Sequence, residues 1–417
     1  MTTNTASSVL APFRVRSFRF QWPADLATSW AWEMETLILA WYVLVSTGSV
    51  LLLTLFASLN YIGTLLAPLF GVIGHRIGER NLLCAMRAFY AALAAALTAF
   101  ALAGALTPLH VFIFATLMGI VRPSDLAIRF AVIGNTVPPA QLMGGMSISR
   151  TTQDSARIIG ALTGAGAFAM LGMGPALSAI AVLYAASFVL TLRVSDTRPG
   201  KPPAVDETPQ SHWRDLKDAI VHVRTTPRLL GTMILAFLFN VTAFPMVIGL
   251  LPYVAKQIYA TDQTGLGYLV ASFAAGSLLG TVSLLRIGNA LRPARVMLVS
   301  CVLWHAANFT FSQMPALGGG LCMLVLAGLA QSLCTIPLSV MLLRTTDERF
   351  RGRIMGVRIL AVYGLPLGLL LAGELITRIG YQATSLLYSA AGIACVVLIA
   401  LRWREDLWLR DAVANRR

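Results

Sequence analysis

The chain has 417 residues, of which 57% are hydrophobic and 12% charged, and its mean hydropathy is +0.73. A soluble globular domain carries about 25% charged residues, so this composition excludes a soluble enzyme and makes lipid the surrounding solvent. The net charge of +14 would point to nucleic acid in a soluble chain; here it is a matter of which side of a bilayer the basic residues occupy, and no nucleic-acid partner is expected.

A spanning helix takes about 20 apolar residues. Apolar runs bounded by Gly, Pro or charge place spans 1 to 6 at 20–46, 50–74, 82–104, 109–134, 146–171 and 175–194. Spans 7 to 12 follow at 229–251, 264–287, 294–314, 318–343, 354–378 and 381–403. The expected fold class is an all-α membrane protein with twelve transmembrane helices in two six-helix halves, 1–194 and 229–417. The segment 195–228 between them is rich in Pro and charge, carries a short amphipathic stretch at 211–224, and reads as a cytoplasmic linker. No short apolar core precedes a small-residue cleavage site, so no removable signal peptide is expected. Cys84, Cys301, Cys322, Cys334 and Cys395 lie in apolar stretches without paired spacing, which suggests neither disulfides nor a metal site.

Sidedness follows from the basic residues. Lys256 and Arg378 stand at span exits opposite the N-terminus, Arg122, Arg129, Arg150 and Arg157 lie within spans, and the rest are assigned to the N-terminal side. The positive-inside rule makes that side cytoplasmic, with both termini and the linker inside. The halves show faint self-similarity: Arg76-Ile77-Gly78 after span 2 recurs as Arg286-Ile287-Gly288 after span 8, and Gly144, Arg150 and Gly160 correspond to Gly352, Arg358 and Gly368. Two repeats around a central cavity is the plan of transporters that work by alternating access.

Charge inside the spans carries the functional reading. Span 1 holds Asp25, Glu33 and Glu35, and a carboxylate near the bilayer centre costs about 2.5–3.5 kcal/mol on insertion scales, so none should face lipid. Glu33 and Glu35 are two residues apart and cannot share a helical face. Asp25, Ser29, Glu33 and Thr36 form a polar stripe, which favours Glu33 facing an aqueous cavity. Glu33, Glu35 and Asp25 are candidates for proton coupling; the alternative is a helix-packing hydrogen bond for the glutamates and, for Asp25, which is nearer the cytoplasmic surface, a pair with a basic neighbour.

Span 4 carries Arg122, Asp125 and Arg129 on one face, and span 5 carries Arg150, Asp154 and Arg157. Each trio read alone has one carboxylate between two guanidiniums and an excess charge of +1. One reading is a basic approach for anionic cargo, with Arg122 and Asp125 as substrate residues; the other is an ion-pair cluster that locks helices 4 and 5. In the second half Asn240 and Gln331 are candidate substrate contacts, His305 and Asn308 read as helix-packing groups, and Glu374 with Arg378 reads as a surface pair. Gly160, Gly164 and Gly166 suit close helix packing.

The stretch 71–80, GVIGHRIGER, resembles the loop between helices 2 and 3 of the major facilitator superfamily, with Gly71, Arg76, Gly78 and Arg80 matching. Ala40-Trp41 with Thr47-Gly48-Ser49, Arg129 with Val137-Pro138-Pro139, Ala156-Arg157-Ile158-Ile159-Gly160, and Arg351-Gly352-Arg353-Ile354-Met355 resemble the branch that contains the enterobactin exporter and related multidrug exporters. The resemblance implies a bacterial cytoplasmic-membrane exporter and gating roles for the loop 2–3 residues, Arg129, Arg150, Asp154, Arg157, Arg351 and Arg353. His75 stands where the family usually has Asp; it is either a pH-sensitive gate or a tolerated loop substitution. Gly160-Ala161 replaces the Gly-Pro common in helix 5 of such exporters, which implies a straighter helix.

The expected function is a secondary active exporter of a small amphipathic molecule, siderophore-like or drug-like, coupled to protons. The chain has no phosphate-binding loop of the Gly-x-x-x-x-Gly-Lys-Ser/Thr type, and no cofactor is expected. The alternatives are an importer of the same fold or a polytopic enzyme acting on lipids. The latter would need a carboxylate cluster or a His-Asp pair that the sequence does not display. A monomer is expected.

Overall fold

The computed structural model describes residues 11–195, 220–287, 292–346 and 351–409. In the first half, α1 spans Arg16–Thr47, α2 Val50–Leu59, α3 Ala67–Ile77, α4 Glu79–Leu102, α5 Pro108–Thr136, α6 Pro139–Leu171 and α7 Met173–Leu192. In the second half, α8 spans Pro227–Thr242, α9 Gln263–Ile287, α10 Pro293–Gln313, α11 Leu317–Thr345, α12 Arg351–Ala361, α13 Gly364–Ile379 and α14 Tyr381–Arg402. Span 2 is made of α2 and α3, and span 11 of α12 and α13, so the helices form twelve transmembrane segments in two sets of six.

Local chemistry sets the helix ends. Pro108, Pro139, Pro227 and Pro293 open α5, α6, α8 and α10, where a missing N–H costs nothing. Gly78 at φ 90° separates α3 from α4, and Gly380 at φ 83° separates α13 from α14, a backbone region that a β-carbon disfavours. Eight described helical segments, one of them Val357–Ile379 taken across the junction of α12 and α13, are apolar and long enough to cross a membrane. The two longest, α1 with 32 residues and α6 with 33, are absent from that set because they carry the acidic and basic residues of spans 1 and 5.

Three spans are interrupted where the apolar pattern predicts continuity. Span 2 passes through a 3-10 turn at Ile62–Leu66, span 11 breaks at Val362 and Tyr363, and α8 ends at Thr242 before the short helix Phe244–Ile248. Pro245 has no N–H to continue the α8 ladder. That leaves the Val241 carbonyl, four residues back, without its ladder donor. At the break itself the buried Ala243 carbonyl accepts from Asn308 Nδ2 of α10 at 2.9 Å. Asn308 thus ties α10 to the backbone at the break, where a side-chain donor supports an interrupted helix in an apolar interior.

The chain separates into two compact units. One comprises Met1–Ser46 and Leu59–Val205, the other Thr47–Ser58 and Asp206–Arg417. Although Thr47–Ser58 precedes the linker, it packs with the second unit: Thr54 lies directly against Gly373, and Ser58 Oγ donates to the Pro366 carbonyl at 3.3 Å. Small residues set the tight crossings. In the first unit, Gly160 faces the Glu33 β-carbon and Gly164 the Met34 backbone, which brings α6 onto α1. Gly166 faces open space and takes no part in that contact, contrary to the expectation for it. In the second unit, Gly276 of α9 and Gly328 of α11 meet the partner helix's carbonyls.

A β-carbon at Gly328 would press on the Phe273 carbonyl and stand 2.8 Å from the Ser277 amide. We expect Gly328→Ala to cost about 1–3 kcal/mol, the usual effect of overpacking. Gly166→Ala should be neutral or stabilising by about 0.5–1 kcal/mol. Thermal unfolding of the detergent-solubilised protein, followed by tryptophan fluorescence, separates the two.

Candidate functional site

The acidic residues of α1 do not stand alone; each meets a guanidinium from another helix. Asp25, 4% exposed, pairs with Arg87 of α4, which is fully buried, and lies 3.7 Å from Arg129 Nε of α5. Arg129 also pairs with Asp125, one turn back on its own helix. Further donors reach other helices: Arg87 donates to the Thr191 hydroxyl of α7, and Arg129 Nη1 donates to Ser29 Oγ at 2.9 Å and to the Asp25 carbonyl at 3.4 Å. Gln21 Nε2 donates to the Arg129 carbonyl at 3.0 Å, tying α1 to α5 at the same level.

Ten residues further along α1, Glu35 forms a second cluster. It is 2% exposed and pairs with Arg122 of α5. Tyr184 of α7 closes a triangle, donating its hydroxyl to Glu35 Oε2 at 3.0 Å while accepting from Arg122 Nη2 at 3.1 Å. Arg122 Nη1 donates to Asn60 Oδ1 at 3.1 Å, and its guanidinium lies 4.7 Å from the centre of the Trp32 ring. The Tyr184 ring packs on Tyr90 of α4 at 5.7 Å. Glu35 is thus held by one cation and one phenol in a site closed to solvent.

Glu33, on another side of α1, is a more open carboxylate. Arg157 Nε of α6 is its partner at 3.4 Å, with side-chain exposures of 25% for Glu33 and 41% for Arg157. The polar stripe of α1 therefore divides: Asp25 and Ser29 serve Arg129, and Glu33 serves Arg157. Arg150 and Asp154 form a loose pair at 3.9 Å with Arg150 mostly exposed.

The loop residues take separate places. Arg80 reaches the Leu192 carbonyl at the end of α7 and Asn81 Oδ1 at 2.9 Å, Arg76 is exposed, and Gly71 has open space around its α-carbon. The backbones of His75, Arg351 and Arg353 lie in α3 and α12, and their side chains fall outside the described residues. In the second unit, Asn240 is buried with Nδ2 bonded to the Ala236 carbonyl at 2.8 Å, and Gln331 bridges Ser277 at 3.1 Å and Thr335 at 3.1 Å. His305 is fully buried between Thr242 Oγ1 and the Cys301 carbonyl, each at 2.8 Å. Glu374 and Arg378 bond to each other at 2.6 Å.

The span 4 trio is balanced by charges from other helices. Read alone, Arg122, Asp125 and Arg129 carry an excess of +1, but Arg122 turns to Glu35 and Asp125 to Arg129. With Arg87 and Asp25 included, three guanidiniums meet three carboxylates in the interior of one unit. Arg157 is likewise met by Glu33, and Arg150 by Asp154, so neither trio is a free basic patch. Arg87, which the sequence assigns only to the N-terminal side of the bilayer, is fully buried in the bundle. Its place five residues inside the apolar run that starts at Leu82 is the signal for that position. Tyr184, Asn60 and Trp32 carry no such signal, because uncharged polar and aromatic residues are common on any span.

Removing one partner of a buried pair leaves the other charge uncompensated, at about 3–5 kcal/mol. Arg87→Met should lose stability on that scale, and adding Asp25→Asn should return a large part of it. A double-mutant cycle on thermal stability checks this; simple additivity of the two losses would show that the pair is not coupled.

A sequence profile described as Major Facilitator Superfamily matches residues 23–357 and 234–413. Among solved structures, a mutant of the nucleoside transporter NupG superposes with a TM-score of 0.75 at 14% identity, covering 92% of this chain and 99% of that one. A POT family transporter in complex with 5-aminolevulinic acid gives 0.73 at 11% identity, covering 94% and 97%. The human organic anion transporter MFSD10 gives 0.65 at 15% identity, covering 92% and 99%. No match is found among curated protein sequences. With the family profile running through both six-helix halves and the fold shared with these transporters, the chain belongs to the Major Facilitator Superfamily and is a polytopic membrane transporter rather than an enzyme.

Proposed function

We propose that the protein is a proton-coupled secondary exporter of a small amphipathic molecule, siderophore-like or drug-like, in the bacterial cytoplasmic membrane with both termini in the cytoplasm. The observation that carries this reading is the closed triangle of Glu35, Arg122 and Tyr184. A proton on Glu35 cancels one of three carboxylates and leaves the buried set with one positive charge in excess. That charge is tolerated only in a conformation that hydrates or re-pairs Arg122, so protonation biases one conformation over another. Glu33, half-open and weakly held by Arg157, is the carboxylate that a cargo donor group reaches first. Competition between proton and cargo for the α1 carboxylates exchanges one for the other, which is export against a proton. Arg129, Asp125, Asp25, Arg150, Asp154 and Arg157 join α1, α4, α5 and α6 and serve gating. Asn240 and Gln331 are the cargo contacts proposed for the second half.

A second reading has its own observation. Among the described residues, the carboxylate paired with Arg122 is Glu35, so a proton there also frees a guanidinium for an anionic cargo. Proton and cargo would then bind together, which is import by the same fold.

The test compares intracellular and secreted small molecules in parent, deletion and complemented cells under iron limitation by untargeted mass spectrometry. Export predicts a solute that accumulates inside the deletion strain and is lost from the medium. Complementation by wild type should restore its secretion, and the Glu33→Gln, Glu35→Gln double variant should not. An iron chelator in that role identifies siderophore cargo. A solute depleted inside and retained outside selects import, and full restoration by the double variant removes the proton-carrier role of the glutamates.

A further inference from the structure

The second unit contains a crevice of about 390 Å³ between α8, α13 and α14, at the level of the last two turns of α13. Its walls are apolar, formed largely by Val241, Leu371, Leu375 and Leu387. The two polar groups within it are already satisfied by the protein. Tyr388 OH donates to the Gly368 carbonyl at 2.7 Å, and the Thr242 hydroxyl sits at 2.8 Å from both the Leu238 carbonyl and His305 Nε2. Nothing along the wall calls for water or a polar ligand, and a hydrocarbon chain suits such a surface.

The mouth is different. Glu374 and Arg378 stand one helical turn apart beside the Gly380 turn that ends α13, with side-chain exposures of 44% and 71%. An exposed i,i+4 pair is weak and readily exchanges its internal contact for a better one. The two groups present opposite charges side by side at the end of a span, where lipid headgroups lie. A carboxylate accepts hydrogen bonds from a primary ammonium, and a guanidinium forms paired hydrogen bonds with a phosphate.

We propose that this crevice binds one phospholipid with an ethanolamine headgroup, its ammonium on Glu374, its phosphate on Arg378 and an acyl chain along the apolar wall. The site is independent of the transport reading and of the α1 charges. A headgroup with phosphate alone leaves Glu374 facing an anion, and a trimethylated ammonium has no N–H to donate, so both are disfavoured.

The full chain is purified in mixed micelles containing equimolar phosphatidylethanolamine, phosphatidylglycerol and phosphatidylcholine, and the lipid retained is read by native mass spectrometry. Wild type should retain phosphatidylethanolamine above the other two. The Glu374→Gln, Arg378→Gln double variant, changed only at the two side chains of the mouth, should lose that preference. Ala391→Trp, which adds bulk at an exposed wall position of the crevice, should lose the retained lipid while the charged pair is intact. Equal retention of the three lipids by wild type, or a preference unchanged in either variant, overturns the proposal.

Discussion

A carboxylate cannot stay charged in the interior of a lipid-embedded bundle without a partner, and this requirement organises the first unit. Asp25, Glu35 and Asp125 are matched by Arg87, Arg122 and Arg129. Asp125 and Arg129 stand one turn apart on α5, while the pairs of Asp25 with Arg87 and Glu35 with Arg122 join α1 to α4 and α5 with no local sequence reason to meet. The hydrogen bond that Thr191 accepts from Arg87 and the one that Tyr184 donates to Glu35 bring in α7. Such pairs are weak as net sources of stability, because desolvation offsets much of their attraction. Their consequence lies in selectivity: only an arrangement that brings all six together keeps the interior neutral.

Neutrality also makes the unit responsive. A bundle held by apolar packing alone has no group that a proton or a charged solute can alter. Here one added proton on a buried carboxylate changes the charge of the whole cluster. The tight crossings built from Gly160 and Gly164 set α6 against the same helix that carries the acids. The second unit is built otherwise. Its polar groups, Asn308 at the Ala243 carbonyl and His305 at Thr242, mend or brace the break after α8. The two sets of six helices are alike in plan and differ in where charge resides.

The helix count and the intramembrane charges are legible in the sequence, because a run of about 20 apolar residues is the length that crosses a bilayer and is rarely needed elsewhere. The interruptions of spans 2, 7 and 11 are not. The apolar pattern continues through Ile62–Leu66 and through Val362 and Tyr363, and backbone hydrogen bonding, not hydropathy, decides where the helix stops. Charge pairing is legible only in part. Helical spacing puts Arg122, Asp125 and Arg129 on one face and Glu33 and Glu35 on different ones, and the structure agrees. Partner choice is tertiary, so the match of Arg122 with Glu35 across 87 residues has no local sign. Arg87 is counted only by its side of the bilayer because it lies near a span end, where basic residues ordinarily reach the membrane surface.

The central claim is that Glu35 is the carboxylate whose protonation unbalances the buried set. Infrared difference spectroscopy of the reconstituted protein, stepped from neutral to acidic pH, observes carboxyl protonation directly. The account predicts a protonated-carboxyl band that appears on acidification, is absent in Glu35→Gln and is unchanged in Glu374→Gln. A band that persists in Glu35→Gln, or its absence in wild type, would contradict it.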